Sequence, residues 1–419
     1  CCVTPDECAK IGSSAPLPCP LGVCVKNTCT TMAGSCDGDE DCRAPSPVCV
    51  LGGCAACGSD DGCPASRPVC DTVTHDCRAC SKDNECASGA CDLAAGTCVD
   101  PAAIRYAAPS GTNADACTQM APCSLGHAAS LGDGDHPYIV LAPGIHPTGA
   151  IFNGRIATIA GNSATIDLRS SLIQISSASI VRIRDVDIIA NQGFTISGTR
   201  NAISCDSNSE LVLERVRGTF KDGVNALNSD GAVTMRQTSI TDGAIFTTGP
   251  LTVDQSTFTN SRVTITSSGA PFEIANSLFI AGPSGTRLSI SQNGGSNSNG
   301  ALVLNNTFIG ASLGCQGGTF QHIESNIFYN STMLDTGVQC EYNYNLIFPS
   351  VDVGGMGNRS NDPLFEDPAG SNFRLKQGSD AIDHANPNRA PPFGHDHDGV
   401  MRPRGGGTDI GAFEYVPQA

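Results

Sequence analysis

Between residues 179 and 348, β-branched and aromatic residues alternate with polar ones in a short phrase that occurs seven times. The copies start at Ser179, Glu210, Ala232, Leu251, Phe272, Leu302 and Phe320, and each reads as a strand of period two followed by a polar punctuation. Aligning Asp185, Arg215, Gln237, Gln255, Asn276, Asn306 and Ser325 as one column gives steps of 30, 22, 18, 21, 30 and 19 residues. A repeat of this length, punctuated by Gly, Asn and Ser, predicts a coil whose turns stack on one another. Ile183, Leu213, Val253, Ile274 and Leu304 then form an apolar column inside, a face that no single turn can bury alone. Unequal steps fit loops of different length between strands. The Leu-x-x-Leu-x-Leu frame of leucine-rich repeats is absent, as is a helical period. The expected fold is all-β: a right-handed parallel β-helix, with rungs over residues 136–360.

Cysteine divides the chain differently. Of 23 cysteines, 18 lie in the first 98 residues, a density expected of a disulfide-stapled domain in an oxidising compartment. Residues 1–99 hold four copies of a smaller repeat, opened by Cys-x5-Cys at Cys2, Cys36, Cys57 and Cys80. Each opening loop carries an acid (Asp6, Asp39, Asp60, Asp83), and each copy closes with a second pair, the last being Cys91 and Cys98. Four cysteines per copy make two disulfides, with the order of pairing open. A rival reading takes Cys54, Cys57, Cys77 and Cys80 as a zinc ribbon, but Cys63 and Cys70 fall between the two pairs. The copies resemble the Dickkopf-like cysteine-rich repeats of some exported bacterial proteins, which implies little about activity.

Cys1 and Cys19 are left over from the repeats. A chain beginning with cysteine resembles a bacterial lipoprotein, making Cys1 a candidate lipid anchor, although ordinary cleavage leaves the same residue. If Cys1 pairs with Cys19, Cys205 is the free and buried thiol of an odd set; if Cys1 is lipidated, Cys19 and Cys205 both remain. Cys117 and Cys123 fit a small loop within a cap spanning 104–135, and Cys315 and Cys340, 25 residues apart, are placed to bridge neighbouring rungs.

The charge is acidic, with 41 Asp and Glu against 24 Lys and Arg. No segment has a basic excess, which argues against nucleic acid and anionic membrane surfaces as partners. Aromatics are 5% and Trp is absent, which argues against a deep sugar-stacking cleft. No apolar run approaches the ~20 residues of a membrane span.

Catalytic chemistry has few candidates. A lyase needs a base and cations, and a glycosidase needs two carboxyl groups at a set separation. The densest charged patch is Arg182, Arg184, Asp185 and Asp187 on one rung with Glu214 and Arg217 on the next, readable as a glycan-facing surface or as a ladder of opposite charges. A second cluster, His395-Asp396-His397-Asp398 with Asp409, could hold a divalent ion such as calcium through Asp396, Asp398 and Asp409. The plainer alternative is a turn whose carboxylates meet Arg402. No other cofactor is expected. Sequons at Asn305, Asn330 and Asn358 carry little weight.

The segment from Asn361 to Asp383, the run Asp396 to Arg402 and the run Asp409 to Tyr415 together resemble the C-terminal region of bacterial choice-of-anchor Q domain proteins, β-helices of pectate-lyase-like fold. The resemblance implies that 361–419 finishes and caps the coil and that the protein resides at the cell surface. The reading that follows is an exported structural or adhesive β-helix that contacts copies of itself, other surface proteins or polysaccharide. Its rivals are a polysaccharide lyase or hydrolase and a passive glycan-binding module.

Overall fold

In the N-terminal repeats each copy closes with a tiny antiparallel hairpin that sets its last two cysteines opposite one another, Cys49 facing Cys54, Cys70 facing Cys77 and Cys91 facing Cys98. The computed structural model describes residues 24–25, 28–29, 36, 39, 42, 46–50, 53–131, 134–169, 171–190, 201–221, 224–267, 269–292, 301–317, 320–331, 334–335 and 339–417. Cys1, Cys19 and most of the first repeat lie outside these residues; of that repeat, the backbone sets Cys24 opposite Cys29 in a two-residue antiparallel hairpin. In the other three copies the first cysteine bonds the third and the second bonds the fourth: Cys36–Cys49 and Cys42–Cys54, Cys57–Cys70 and Cys63–Cys77, Cys80–Cys91 and Cys86–Cys98. Cys54, Cys57, Cys77 and Cys80 therefore belong to four different disulfides, which removes the zinc ribbon. The repeated acid has a structural task. Asp39, Asp60 and Asp83 each accept a hydrogen bond from the backbone N–H of the third cysteine in their own copy, at 2.7, 2.7 and 2.9 Å. A carboxylate thus fixes the opening loop against the closing hairpin.

The chain separates into Cys1–Ala103 and Ile104–Ala419. The second unit is a parallel β-solenoid with three sides. One side starts with Ile104–Ala107 and Tyr138–Leu141 and ends with Cys340–Asn343; the next runs from Gly144–His146 to Leu346–Phe348. The third is an eight-stranded sheet from Ala150–Asn153 to Ser312–Gly317. Strand register stacks Ile183, Leu213, Met235, Val253, Ile274, Val303, Ile323 and Tyr342 into one buried inner column. On the second side Phe258, Phe279, Phe308 and Phe328 stack with ring centroids 5.0, 4.6 and 4.8 Å apart.

Two positions differ from the sequence alignment by one residue. The punctuation column consists of left-handed corner residues: Asp185, Arg215, Gln237, Gln255, Asn276, Asn305, Ser325 and Tyr344 all have φ between 49° and 57°. Asn305, not Asn306, takes the corner, and Val303, not Leu304, is the inward residue of that rung. Asn306 instead points into a polar ladder beside the corner. There Ser277 N–H donates to Asn306 Oδ1, Asn306 N–H to Asn326, Asn326 N–H to Asn345 and Asn345 N–H to Asn358, at 2.8–3.0 Å. Thr238, Ser256 and Ser277 continue the ladder upward through hydroxyls. Each rung donates a backbone N–H that its own strands do not use, so the buried corner stays satisfied.

Both ends of the coil are covered. Tyr106 on the first strand and Ala108 just after it make backbone hydrogen bonds with the loop closed by Cys117–Cys123, and the helix Leu125–Ser130, capped by Ser124, lays Leu125, Ala128 and Ala129 inward. At the far end Ile347 N–H donates to Arg359 O and Tyr344 N–H to Met356 O. Cys315 and Cys340 are disulfide-bonded across the last rungs, and Cys205, buried on the third side between Ile175 and Ser229 in register, carries no disulfide.

The C-terminal segment departs from the expected cap. After Arg359 the chain runs back along the outside of the second side, and Phe365, Phe373, Leu375, Ile410 and Phe413 form a second apolar cluster with Leu278, Ile327 and Leu346 of the coil. This strap has one two-stranded hairpin, Phe365–Asp367 with Asn372–Leu375. The outward residues beneath it are apolar where they are covered: rungs from 278 onward carry Leu, Ile, Tyr and Phe, with Thr307 accepting from the strap, where the rungs at 239 and 257 carry Ser and Thr.

Candidate functional site

The charged patch on the early rungs resolves into pairs. Asp185 receives both Nε and a terminal nitrogen of Arg215 at 2.7 and 2.8 Å, and Asp187 receives Arg217 the same way at 2.7 and 2.9 Å. Glu214 lies 3.8 Å from Arg236 on the following rung. Arg182 is exposed, but Arg184 is 3% exposed, so it is not part of an outward glycan-facing surface. What remains is a ladder of opposite charges that ties rungs together at the corner, with each fork satisfied by its neighbour.

The C-terminal carboxylates likewise do not converge on an ion. Asp396 Oδ1 accepts the N–H groups of Asp398 and Val400, and its Oδ2 accepts that of Glu414. Asp409 accepts from Asp383 N–H and Tyr415 N–H at 2.7 and 2.6 Å, and Asp398 pairs with Arg374 at 2.7 Å. Among the described residues, the groups of three His, Cys, Asp or Glu ligand atoms within 4.8 Å of one another are all cysteines. Those cysteines sit in the disulfides of the repeats; Asp396 and Asp409 serve as caps for backbone donors, and Asp398 as the ion-pair partner of Arg374. Arg402 does not meet Asp396. It pairs with Glu414 at 2.8 Å, both side chains fully buried, and donates to the carbonyls of Asp409 and Gly411. Burial pushes the Asp409 carboxyl up to about 7, against the two N–H donors that favour its charged form. Burial also raises Glu414 and lowers Arg402.

A different face carries the groups that sequence reasoning missed. On the outside of the first side, where the strap meets it, Asp254 Oδ2 lies 2.9 Å from His395 Nε2 and accepts from it in the tautomer that protonates that nitrogen, and Asp254 Oδ1 accepts from Asn276 Nδ2 at 2.9 Å. Glu324, 3% exposed, takes Arg389 in a fork at 2.6 and 3.0 Å and Asn386 at 2.9 Å. His322 Nδ1 lies 3.2 Å from Glu341 on the next rung. Glu273, half-buried on the rung after Asp254, has its carboxyl raised by burial and then by the Asp254 charge. The only trace of this face in the sequence is that Asp254, Glu273, His322, Glu324 and Glu341 occupy outward phases of the repeat. The strap partners of Asp254 and Glu324 lie 62 to 141 residues away. The sequon at Asn305 is closed: the residue is buried and donates to Asp409 O.

Strand register alone defines this unit as a parallel β-solenoid. Neither a protein-family model nor a curated protein matches the chain. Among solved structures, the crystal structure of pectate lyase Pel9A is similar, with 14% identity, a TM-score of 0.38, and coverage of 75% of this chain and 96% of that one. At that distance the likeness concerns fold alone. No helix among the described residues is long and apolar enough to cross a membrane, and the many disulfides are consistent with an extracellular or secreted protein.

Proposed function

We propose that this chain is an exported structural or adhesive element of the bacterial cell surface, of the choice-of-anchor Q type, that works by holding its lateral faces in place rather than by turning over a substrate. The observation that carries this reading is the use of outward charge: Asp185, Asp187, Glu214 and Glu324 each meet an arginine, most of them from another rung or from the strap. Such pairs stiffen a surface and occupy the carboxylates that take part in them. The covered coil ends favour contacts through the sides over strand-to-strand stacking, since a covered edge offers no unpaired backbone. Partners in this reading are copies of the chain, other surface proteins or polysaccharide. The test is light scattering with electron micrographs of native, unreduced protein, alongside a polysaccharide binding screen. Assemblies or saturable binding without products support the reading; turnover of a glycan at catalytic concentration removes it.

A second reading, a polysaccharide hydrolase or lyase, is favoured by one observation: Glu273 has a raised carboxyl beside Asp254, the arrangement by which two acids acquire different roles. Glu273→Gln separates the two. Loss of any measured turnover would favour the enzyme, and unchanged binding with no turnover in either protein would favour the scaffold.

A further inference from the structure

The apolar side chains of the strap share one cluster with the coil: Phe373, Leu375, Ile410 and Phe413 are buried together with Leu278, Ile327 and Leu346 beneath them. Its polar contacts are equally specific. His395 meets Asp254, Arg389 meets Glu324, Ala412 N–H donates to Thr307 Oγ1 and Gly411 N–H donates to Ser325 O.

The joint between coil and strap is short. Chain up to Arg359 is pinned to the last rung, since Asn358 ends the asparagine ladder and Arg359 exchanges backbone bonds with Asn345 and Ile347. Ser360, Asn361 and Asp362 are exposed, and Leu364 follows with φ of 52°. A left-handed backbone is unfavourable for a residue with a Cβ, so the closed joint holds a strained turn that an extended one would release. Short strained joints are where identical elements pass between copies.

We propose that the strap is exchanged between copies of this chain, each strap docking on the outer face of a neighbour's coil with residues 360–364 opened. This rests on the self-assembly reading above and names the surface by which copies meet. The contacts between strap and coil are kept; those that the joint makes with the strap, Asn361 Nδ2 to Asp380, Ser379 Oγ to Pro363 O and Lys376 N–H to Leu364 O, change with it.

Charge-swapped partners test it. Glu324→Arg and Arg389→Glu each set like charges against the chain's own strap. When the two full-length variants are co-expressed with different tags, exchange restores opposite charges at both interfaces of a mixed pair. The expected result is mixed pairs at least tenfold enriched over like pairs, with masses of two or more copies by light scattering. In the otherwise natural chain, Leu364→Gly should lower the assembled fraction several-fold, because glycine takes this backbone without strain. Assemblies with no preference for the mixed pair would overturn exchange while leaving self-assembly through another face intact. A natural chain that stays monomeric at every concentration, or a Leu364→Gly protein that assembles unchanged, also overturns it, even should the charge variants fold poorly.

Discussion

Asn326 sits in the middle of the buried ladder and is the most exacting test of it. Its Nδ2 donates to Val303 O and Glu324 O at 2.8 and 2.9 Å, and its Oδ1 accepts Asn306 N–H at 2.8 Å. Asn326→Ala leaves the Asn306 N–H buried without an acceptor and takes one partner from each carbonyl. An unmet buried donor costs ~1–3 kcal/mol and each lost hydrogen bond about 1 kcal/mol, so the substitution should cost roughly 3–5 kcal/mol. Asn326→Ser is the informative control, because Ser277 already serves one position of the same ladder through its hydroxyl, accepting Ser256 N–H and donating to Ala275 O. Serine should recover about half the loss. Equilibrium unfolding in guanidinium of the disulfide-intact protein gives the magnitude, and amide hydrogen exchange gives the place: protection should fall first in the rungs around residues 303–345. A cost for alanine below ~1 kcal/mol, or equal costs for alanine and serine, would refute the idea that the ladder carries the corner.

Other consequences follow from single sites. A Cβ on Gly218 would lie 2.6 Å from Phe220 Cε2 and 2.9 Å from Ile240 Cδ1, so Gly218→Ala should destabilise the coil by ~1–3 kcal/mol through overpacking, read from thermal unfolding. Arg217→Ala removes a pair whose side chains are 76% and 36% exposed, and should change stability by less than about 1 kcal/mol. Asp409 binds its proton more tightly folded, at about 7, than unfolded, near 3.8; its contribution is therefore intact at low pH and lost as pH rises from about 4 through 7. Relative to Asp409→Asn, the natural protein should lose stability between pH 5 and pH 8, and parallel profiles would contradict the assignment. Asp83→Ala removes this acceptor from the Cys91 N–H and should speed hydrogen exchange there without altering the disulfide pattern.

The parts of this molecule that repeat were legible from sequence, because repetition turns a local preference into a pattern. The rungs, the four-cysteine copies and the inward positions of Ile183, Leu213, Val253 and Ile274 all follow from period and spacing. The slip at Asn305-Asn306 shows the limit: two adjacent asparagines both suit a corner, and only packing decides which takes the left-handed bend and which turns inward. The strap contacts were illegible for a different reason. His395, Arg389 and Arg402 find partners through tertiary docking, and nothing in the local spacing distinguishes a histidine that meets a carboxylate 141 residues away from one that chelates a metal. Arg184 shares its alternation with Arg182 yet is buried, so an outward phase is not an exposed one.

The strap also determines how the coil would bear load. In a stacked solenoid the hydrogen bonds between rungs run along the axis, so axial tension loads the interfaces in series and the weakest yields first. From the rung of Asp254 to that of Phe348, however, the strap lies across the interfaces and works as a splint in parallel, and Cys315–Cys340 adds a covalent rivet at the far end. Among the described residues, the rungs between the N-terminal cap and Asp254 are tied by their own strands and corner pairs. Under stretch the protein would lengthen from that unsplinted stretch, while the splinted end kept its form.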